Sequence, residues 1–474
     1  MFIGRKYELE ELQKAYQKNT FQFPVLYGRR RVGKTKILQE FIKNKPCIYF
    51  TAIESNGQKN LELLSAAIWN ALMPDMISPP AFSSFDEALT QIVQLAQRRK
   101  IVFVIDEYPY LASADKSISS LLQSYIDNHF SNTDMMLILC GSSMSFMENQ
   151  VLGYQSPLYG RRTAQFKILP FGYLESAEFV PSYSEYEKAV VYGVTGGIPK
   201  YLELIDDQLT LKENIIELFL KPNGYLYEEP YNLLKQELRE PANYNAIIEA
   251  IATGSSKLNE ISTKTHIETS ALSLYLKTLI SLGIIRKENA VTEESNRKKT
   301  LYSLADYMFC FWYRYIPNNM LLITTGDFEN LYDDKIKPTL NDYMGHIFEE
   351  MSAQYVKALN KSNALPFKLQ SLGRWWGNNP LYKREEEIDI VGVNEEQHAA
   401  VFCECKFRNE KTGADVLQAL IEKSQIFSRY VTKYYILFSK EGFQEEIQSG
   451  KARTEILLVS LSDMFSRDTY NEKV

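Results

Sequence analysis

Apolar positions in this chain follow two rhythms, and the change between them marks its organisation. In the first third they come as short continuous runs: Phe23, Val25, Leu26 and Tyr27; Ile101 to Ile105; Met136 to Cys140; and a strand-like stretch from Ala164 to Leu169. Four or more aliphatic or β-branched residues bounded by charge predict a strand covered on both faces, as in the middle of a parallel sheet. Between the first two runs, Ile37, Leu38, Phe41 and Ile42 recur at helical spacing, and Glu8, Leu9 and Leu12 open a helix before the first strand.

Beyond Pro241 the period turns helical. Asn243 to Thr253 predicts a helix with Ile247, Ile248 and Ile251 on one face, and Leu258 to Ile261 starts a short one. Thr269 is expected to cap a longer helix carrying Leu272, Leu274, Leu276, Leu279 and Ile280, which Gly283 ends. Ile284 to Arg286 and Thr300 to Tyr302 would then pair as a two-stranded wing, making a winged helix over 239–306. In DNA-binding helix-turn-helix modules the start of the second helix enters the major groove. Here Glu268, Thr269, Ser270 and Ser273 hold those positions, polar but hardly basic, so phosphate contacts would fall to Lys264, Lys277, Arg297, Lys298 and Lys299. DNA binding and a packed coupling module both fit this pattern.

The aromatic stretch Phe311 to Pro317 leads through a mixed segment, taken as a linker over 307–340, to a new domain at 341–474. There Glu387 to Val393 and Ala399 to Phe407 predict a β-hairpin around a polar turn, and Val416 to Phe427 an amphipathic helix carrying Gln418. Asp389 lies in the first strand, and alternation puts Glu404 and Lys406 on one face of the second. Two carboxylates across a hairpin can hold Mg²⁺ while a lysine positions a water for phosphodiester attack. This is the D…E-x-K arrangement of restriction-endonuclease-like folds, and Glu349, on a predicted helix after Gly345 and His346, is the expected additional metal ligand. On spacing alone an exposed, ion-paired hairpin reads the same. The charges of Glu404 and Lys406 interrupt an apolar run, however, and burying charge is costly. Gly373-Arg374-Trp375-Trp376, ahead of the hairpin, fits an aromatic core plug.

Between the first apolar run and the helix that follows it lies Gly28-Arg29-Arg30-Arg31-Val32-Gly33-Lys34-Thr35, which fits G-x-x-x-x-G-K-[ST], the nucleotide-phosphate loop, in its required strand–loop–helix context. Backbone N–H groups from Gly28 through Gly33 would wrap a triphosphate at a helix N-terminus, Lys34 would neutralise its β- and γ-phosphates, and Thr35 would bind Mg²⁺. ATP and Mg²⁺ are thus the expected cofactors. Asp106, closing the run from Ile101, would complete the Mg²⁺ shell, and Glu107 would activate the attacking water as general base. Ser142, after Met136–Cys140, could orient that water, or it could cap the next helix. Arg161 and Arg162 are candidates for an arginine finger acting on a neighbouring subunit, which would make the protein a homo-oligomer.

Composition narrows the class. The chain has 474 residues, enough for about three domains with sizeable cores, and a net charge of −6, which excludes a molecule that clings to nucleic acid through bulk charge. Five scattered cysteines and four histidines show neither a zinc spacing nor a disulfide framework. No apolar run approaches membrane-span length, and the opening Met1-Phe2-Ile3-Gly4-Arg5 has no signal-peptide architecture, so no membrane partner and a reducing, cytoplasmic location are expected.

The order of these elements resembles the AAA+/STAND-like ATPases of the archaeal-ATPase type. Phe2-Ile3-Gly4-Arg5 with Glu8-Leu9, the phosphate loop, the strand ending Asp106-Glu107, the strand ending Gly141-Ser142-Ser143, and Leu158-Tyr159-Gly160-Arg161 stand in that family's sequence. Thr195-Gly196-Gly197-Ile198-Pro199 is similar to its G-x-P element in a helical lid, and the resemblance implies that this corner approaches the nucleotide and relays its state. The G-R-W-W, E-I-D-I-V and E-C-K stretches resemble the nuclease-like domain of unknown function that accompanies these ATPases. The expected architecture is therefore α/β: a P-loop ATPase core over 1–165, a helical lid over 166–238, the winged helix, the linker, and a nuclease-like α/β domain. The expected activity is ATP hydrolysis coupled to a domain directed at nucleic acid. The alternative is an ATP-governed switch or scaffold that binds DNA or protein without cleaving.

Overall fold

The computed structural model describes residues 2–77, 79–292, 300–380, 383–449 and 455–466, which form two compact units. The first runs through Pro170 and includes Ile198–Lys200; the second takes Phe171–Gly197 and the chain from Tyr201 onward.

In the first unit β1 (Pro24–Tyr27), β2 (Cys47–Thr51), β3 (Val102–Asp106), β4 (Met136–Gly141) and β5 (Ala164–Lys167) form one parallel sheet in the order β2-β3-β4-β1-β5. Every residue of β1, β3 and β4 is buried, while the edge strands β2 and β5 keep partly exposed positions. The helix Phe85–Arg98 shows how a covering element is specified. Ser84 accepts a hydrogen bond from Glu87 N at its start, and Phe85, Ala88, Leu89, Ile92, Val93 and Ala96 form its buried stripe. Because β4 lies between β1 and β3, with Tyr27 opposite Gly141 and Ile105 opposite Leu139, three loops emerge side by side at the carboxyl ends of the strands. That edge is where open α/β sheets hold ligands.

The second unit begins with helices, among them Glu185–Thr195, opened by a capping box of Ser184 and Glu187. Helices Pro241–Ala252, Leu258–Thr265 and Thr269–Ser281 follow, then an antiparallel pair of β6 (Ile285–Glu288) and β7 (Leu301–Leu304). Thr269 is the first helical residue and not the cap: the Glu268 carbonyl accepts the first helical bond, from Leu272 N at 2.8 Å, so Glu268 takes the capping position. Arg297, Lys298 and Lys299 lie outside the described residues. The span 307–340, expected as a linker, is folded. Asp306 caps the helix Tyr307–Tyr315 through Met308 N and Phe309 N, and that helix buries seven of its nine residues, including Phe309, Phe311 and Trp312. So dense an aromatic run cannot stay in water, and Phe311 meets Phe219 at 4.8 Å and Tyr343 at 5.7 Å between ring centres.

A long helix, Leu340–Lys361, leads to a five-stranded mixed sheet of β8 (Ser371–Asn379), β9 (Arg384–Asn394), β10 (Ala399–Lys406), β11 (Thr432–Ser439) and β12 (Ile456–Ser460) in the order β12-β11-β10-β9-β8. β8, β9 and β10 pair antiparallel, and β10, β11 and β12 parallel. Trp375, Ile388, Phe402, Phe427, Tyr435 and Leu437 share its core. Among the described residues no helix is long and apolar enough to cross a membrane.

Candidate nucleotide site and a second acidic site

The loop after β1 is shaped by glycine. A Cβ on Gly28 would lie 2.4 Å from the Ile168 carbonyl oxygen, so no other residue fits there. Arg31 (φ 72°) and Gly33 (φ 90°) turn the backbone through the left-handed region, and Gly33 occupies the N-cap of helix Lys34–Ile42. The helix thus presents its N-terminal amides at the loop, a ready site for phosphate. Lys34 is buried, and its ammonium donates to the Gly28 and Arg29 carbonyls at 2.8 and 2.9 Å, bridging the loop it would serve. Arg30 donates to the Tyr110 hydroxyl at 2.7 Å. Arg5 braces the loop from outside, donating to the Val32 carbonyl at 3.0 Å and to the Leu169 carbonyl at 2.7 Å. In the sequence Arg5 is visible only as part of a motif, because its bracing role depends on a contact across 164 residues. Ile198–Lys200 belong to this unit, and Lys200 N donates to the Arg31 carbonyl at 3.4 Å.

Asp106, at the end of β3, is buried and pinned at both oxygens. Its Oδ2 accepts from Thr35 Oγ1 at 3.0 Å and from the Tyr49 hydroxyl at 2.7 Å, and its Oδ1 accepts from Glu107 N at 3.0 Å. A hydroxyl and a carboxylate in contact are hard oxygen donors, the kind Mg²⁺ takes, so the residues fit that ion. Burial, reinforced by Asp106, pushes the Tyr49 phenol well above its ordinary pKa and keeps it a donor. Glu107 has φ 53°, a left-handed conformation costing a non-glycine residue about 1 kcal/mol or more. Its Oε2 accepts from Ser142 Oγ at 2.8 Å and from Ser142 N at 3.2 Å. Ser142 therefore spends its hydroxyl on Glu107, while Ser143 takes the cap position of the next helical turn. Arg161 is locked to Asp127 by two bonds of 2.7 Å, and Arg162 is half-buried.

In the second unit the β9–β10 register runs from Asn394 opposite Ala399 to Ile390 opposite Cys403, and Asp389 and Glu404 are the next residue of each strand. Asp389 accepts from Cys405 N at 2.8 Å. Carboxylate oxygens of Glu349, Glu387 and Asp389 lie within 4.8 Å of one another, a spacing that could hold a divalent ion. Glu404, expected as a metal ligand, is not in that group; its carboxylate pairs with Lys406 at 2.6 Å and with Lys423 at 3.2 Å. Glu387 was missed, although it stands two residues before Asp389 and alternation alone puts both on one face. Arg374 pairs with Glu387 at 2.6 Å and Glu349 at 3.6 Å, and Arg286, from the β6–β7 hairpin, pairs with Glu350 at 3.0 Å and contacts His346. Arg286, His346, Glu349, Glu350 and Arg374 line a cavity of about 300 Å³ that also reaches Asp389.

Burial and the nearby charges of Glu404 and Glu349 raise the Asp389 carboxyl to about 7. In the unfolded chain it titrates near 3.9. Between those values the folded protein binds the extra proton, so stability from this group falls as pH rises from about 4 to 7 and stays reduced above. Asp389→Asn, which keeps the acceptor for Cys405 N, is expected to stabilise the protein at pH 8 by a few kcal/mol and to change little at pH 4. Denaturant unfolding at the two pH values checks this; equal effects at both would contradict it.

Comparison with known proteins finds two family matches along the chain. Residues 2–205 match the family described as "ATPase domain predominantly from Archaea", and residues 312–417 match "Archaea bacterial proteins of unknown function". An uncharacterized protein of Methanocaldococcus jannaschii is 34% identical over 466 residues, covering 98% of this chain and 100% of its own. An uncharacterized ATP-binding protein of the same organism is 49% identical over 45 residues, 10% of this chain and 76% of its own. Among solved structures, the Walker-type ATPase of Pyrococcus abyssi superimposes with a TM-score of 0.51 at 20% identity, covering 66% of this chain and 96% of that one, a likeness of fold. With one relative matched along its whole length and both families matched in order, the chain belongs to the archaeal-type ATPases, its ATPase domain followed by the C-terminal region of unknown function.

Proposed function

We propose that the first unit binds ATP with Mg²⁺ and hydrolyses it, and that the remaining modules respond to its nucleotide state. The observation that carries this is the meeting of Thr35 and Asp106 at 3.0 Å beside a lysine that already spans the Gly28–Thr35 loop. On binding, Lys34 exchanges the Gly28 and Arg29 carbonyls for the β- and γ-phosphates, and the loop amides take the remaining oxygens. Thr35 and Asp106 would hold Mg²⁺, which would supply positive charge at the same phosphates. Glu107 turns from Ser142 to accept the proton of the attacking water. Of the two arginines, Arg161 would first have to leave Asp127, so Arg162 is the one we assign to a neighbouring subunit's γ-phosphate in a homo-oligomer. Calorimetric titration with ATP and Mg²⁺, followed by phosphate release, tests the reading; well-folded protein that takes up no ATP would end it.

The module boundaries belong to the same proposal: core 1–165, lid 166–238, winged helix 239–306, connecting helices 307–340, and a restriction-endonuclease-like domain 341–474. Three helices followed by the β6–β7 pair support the winged helix, whose helix Thr269–Ser281 exposes Ser270, Ser273 and Lys277. The adjacency of Asp389 and Glu404, with Lys406 on the same strand, supports action on nucleic acid. A second reading, a non-cleaving switch that binds DNA or protein, is favoured by the two lysines on Glu404 and by Arg374 between Glu349 and Glu387. Incubation with DNA and Mg²⁺ or Mn²⁺, with and without ATP, separates them. Cleavage abolished by Asp389→Ala supports the nuclease; intact DNA bound in a salt-sensitive manner supports the switch.

A further inference from the structure

We propose that Tyr49 is a positioning residue for the magnesium–nucleotide, holding the Asp106 carboxylate in its ligating orientation through its phenol hydroxyl. The inference rests on the reading of Gly28–Thr35 and Asp106 as a magnesium–triphosphate site. Tyr49 sits in β2, a strand with no nucleotide motif, and the sheet order is what delivers it. β2 pairs with β3 in parallel, Tyr49 opposite Val104 and Thr51 opposite Asp106. Along β2, Ile48 and Phe50 are buried while Tyr49 lies on the other face, where its ring reaches along β3 to the strand's end.

The hydroxyl donates to Asp106 Oδ2 at 2.7 Å, the same oxygen that accepts from Thr35 Oγ1 at 3.0 Å. The terminal torsion of an aspartate is a broad, nearly two-fold rotor, and with Oδ1 held only by Glu107 N, Oδ2 loses its remaining restraint when the Thr35 hydroxyl turns toward the ion unless a second donor stays on it. Tyr49 removes that freedom without using the oxygen's full capacity, since each carboxylate oxygen offers about two acceptor directions. It does so as a neutral donor. A lysine or arginine here would cancel the charge that attracts the cation, whereas the phenol leaves it. Partners that orient a ligating side chain in this way commonly affect metal affinity by about 10–100-fold.

Tyr49→Phe keeps the ring and deletes only the hydroxyl. Binding of a fluorescent ATP analogue is measured in EDTA and across a Mg²⁺ titration, for wild type, Tyr49→Phe, Asp106→Asn and the double variant. We expect Tyr49→Phe to remain folded, with a melting temperature lowered by a few degrees at most and an affinity in EDTA that matches wild type. The Mg²⁺ concentration that half-restores tight binding should rise on the order of 10-fold. In the Asp106→Asn background Tyr49→Phe should add nothing further. A Mg²⁺ titration identical to wild type overturns the proposal, and so does an equal loss of affinity with and without Mg²⁺, which marks a merely structural tyrosine. If wild type itself takes up no analogue in either condition, the underlying site reading fails, a result distinct from failure of Tyr49 alone.

Discussion

Lys34→Ala is expected to weaken ATP binding roughly 100-fold, about 3 kcal/mol, because charge-assisted contacts to two phosphates disappear together. The side chain is buried beneath the loop, so no other cation can take its place by swinging in from solvent. Without nucleotide, its ammonium satisfies the Gly28 and Arg29 carbonyls, so the variant also leaves two acceptors short of a donor. A melting curve beside the calorimetric titration therefore separates loss of the phosphate contact from loosening of the loop. ATP affinity equal to wild type in folded Lys34→Ala protein would mean that Gly28–Thr35 does not hold the triphosphate.

Glu107→Gln is expected to leave ATP affinity within about threefold of wild type and to lower turnover by about 10²–10⁴-fold, the usual worth of a general base. Glutamine matches the carboxylate in shape and still accepts from Ser142 through its carbonyl oxygen, so the strained φ of 53° and the contacts of 2.8 and 3.2 Å stay in place. Only the capacity to take a proton is removed. Steady-state phosphate release with calorimetric binding on the same preparation makes the measurement. Turnover that survives the substitution would move the base elsewhere, whereas a parallel fall in binding would make Glu107 a structural residue of the loop.

Much of the first unit was legible because its chemistry is local. The phosphate loop is contiguous, and the buried strands β1, β3 and β4 are continuous apolar runs whose ends display Gly28, Asp106 and Ser142. What could not be read were partners supplied by topology. Tyr49 reaches Asp106 only because β2 lies beside β3, and Ser142 reaches Glu107 only because β4 lies between β1 and β3. In the second unit the hairpin of β9 and β10 was visible in its alternation, but the company of each carboxylate was not. Glu387 was passed over in favour of the E-x-K spacing, Lys423 comes from the helix Ala414–Ser424, and Arg374 comes from a third strand. The segment after Asp306 misled for a different reason. Mixed polarity around an aromatic cluster reads as a connector, yet rings of that size demand burial wherever they can find it.

The complete burial of β1, β3 and β4 has a mechanical consequence. Close-packed interiors have low compressibility, so the floor from which the loops rise is stiff. A change from triphosphate to diphosphate must then be expressed by rotating side chains and re-aimed loops, on a slab that stays put. Amide hydrogens in those three strands should exchange slowest of the first unit and at the same pace whichever nucleotide is supplied, with the differences confined to the rim.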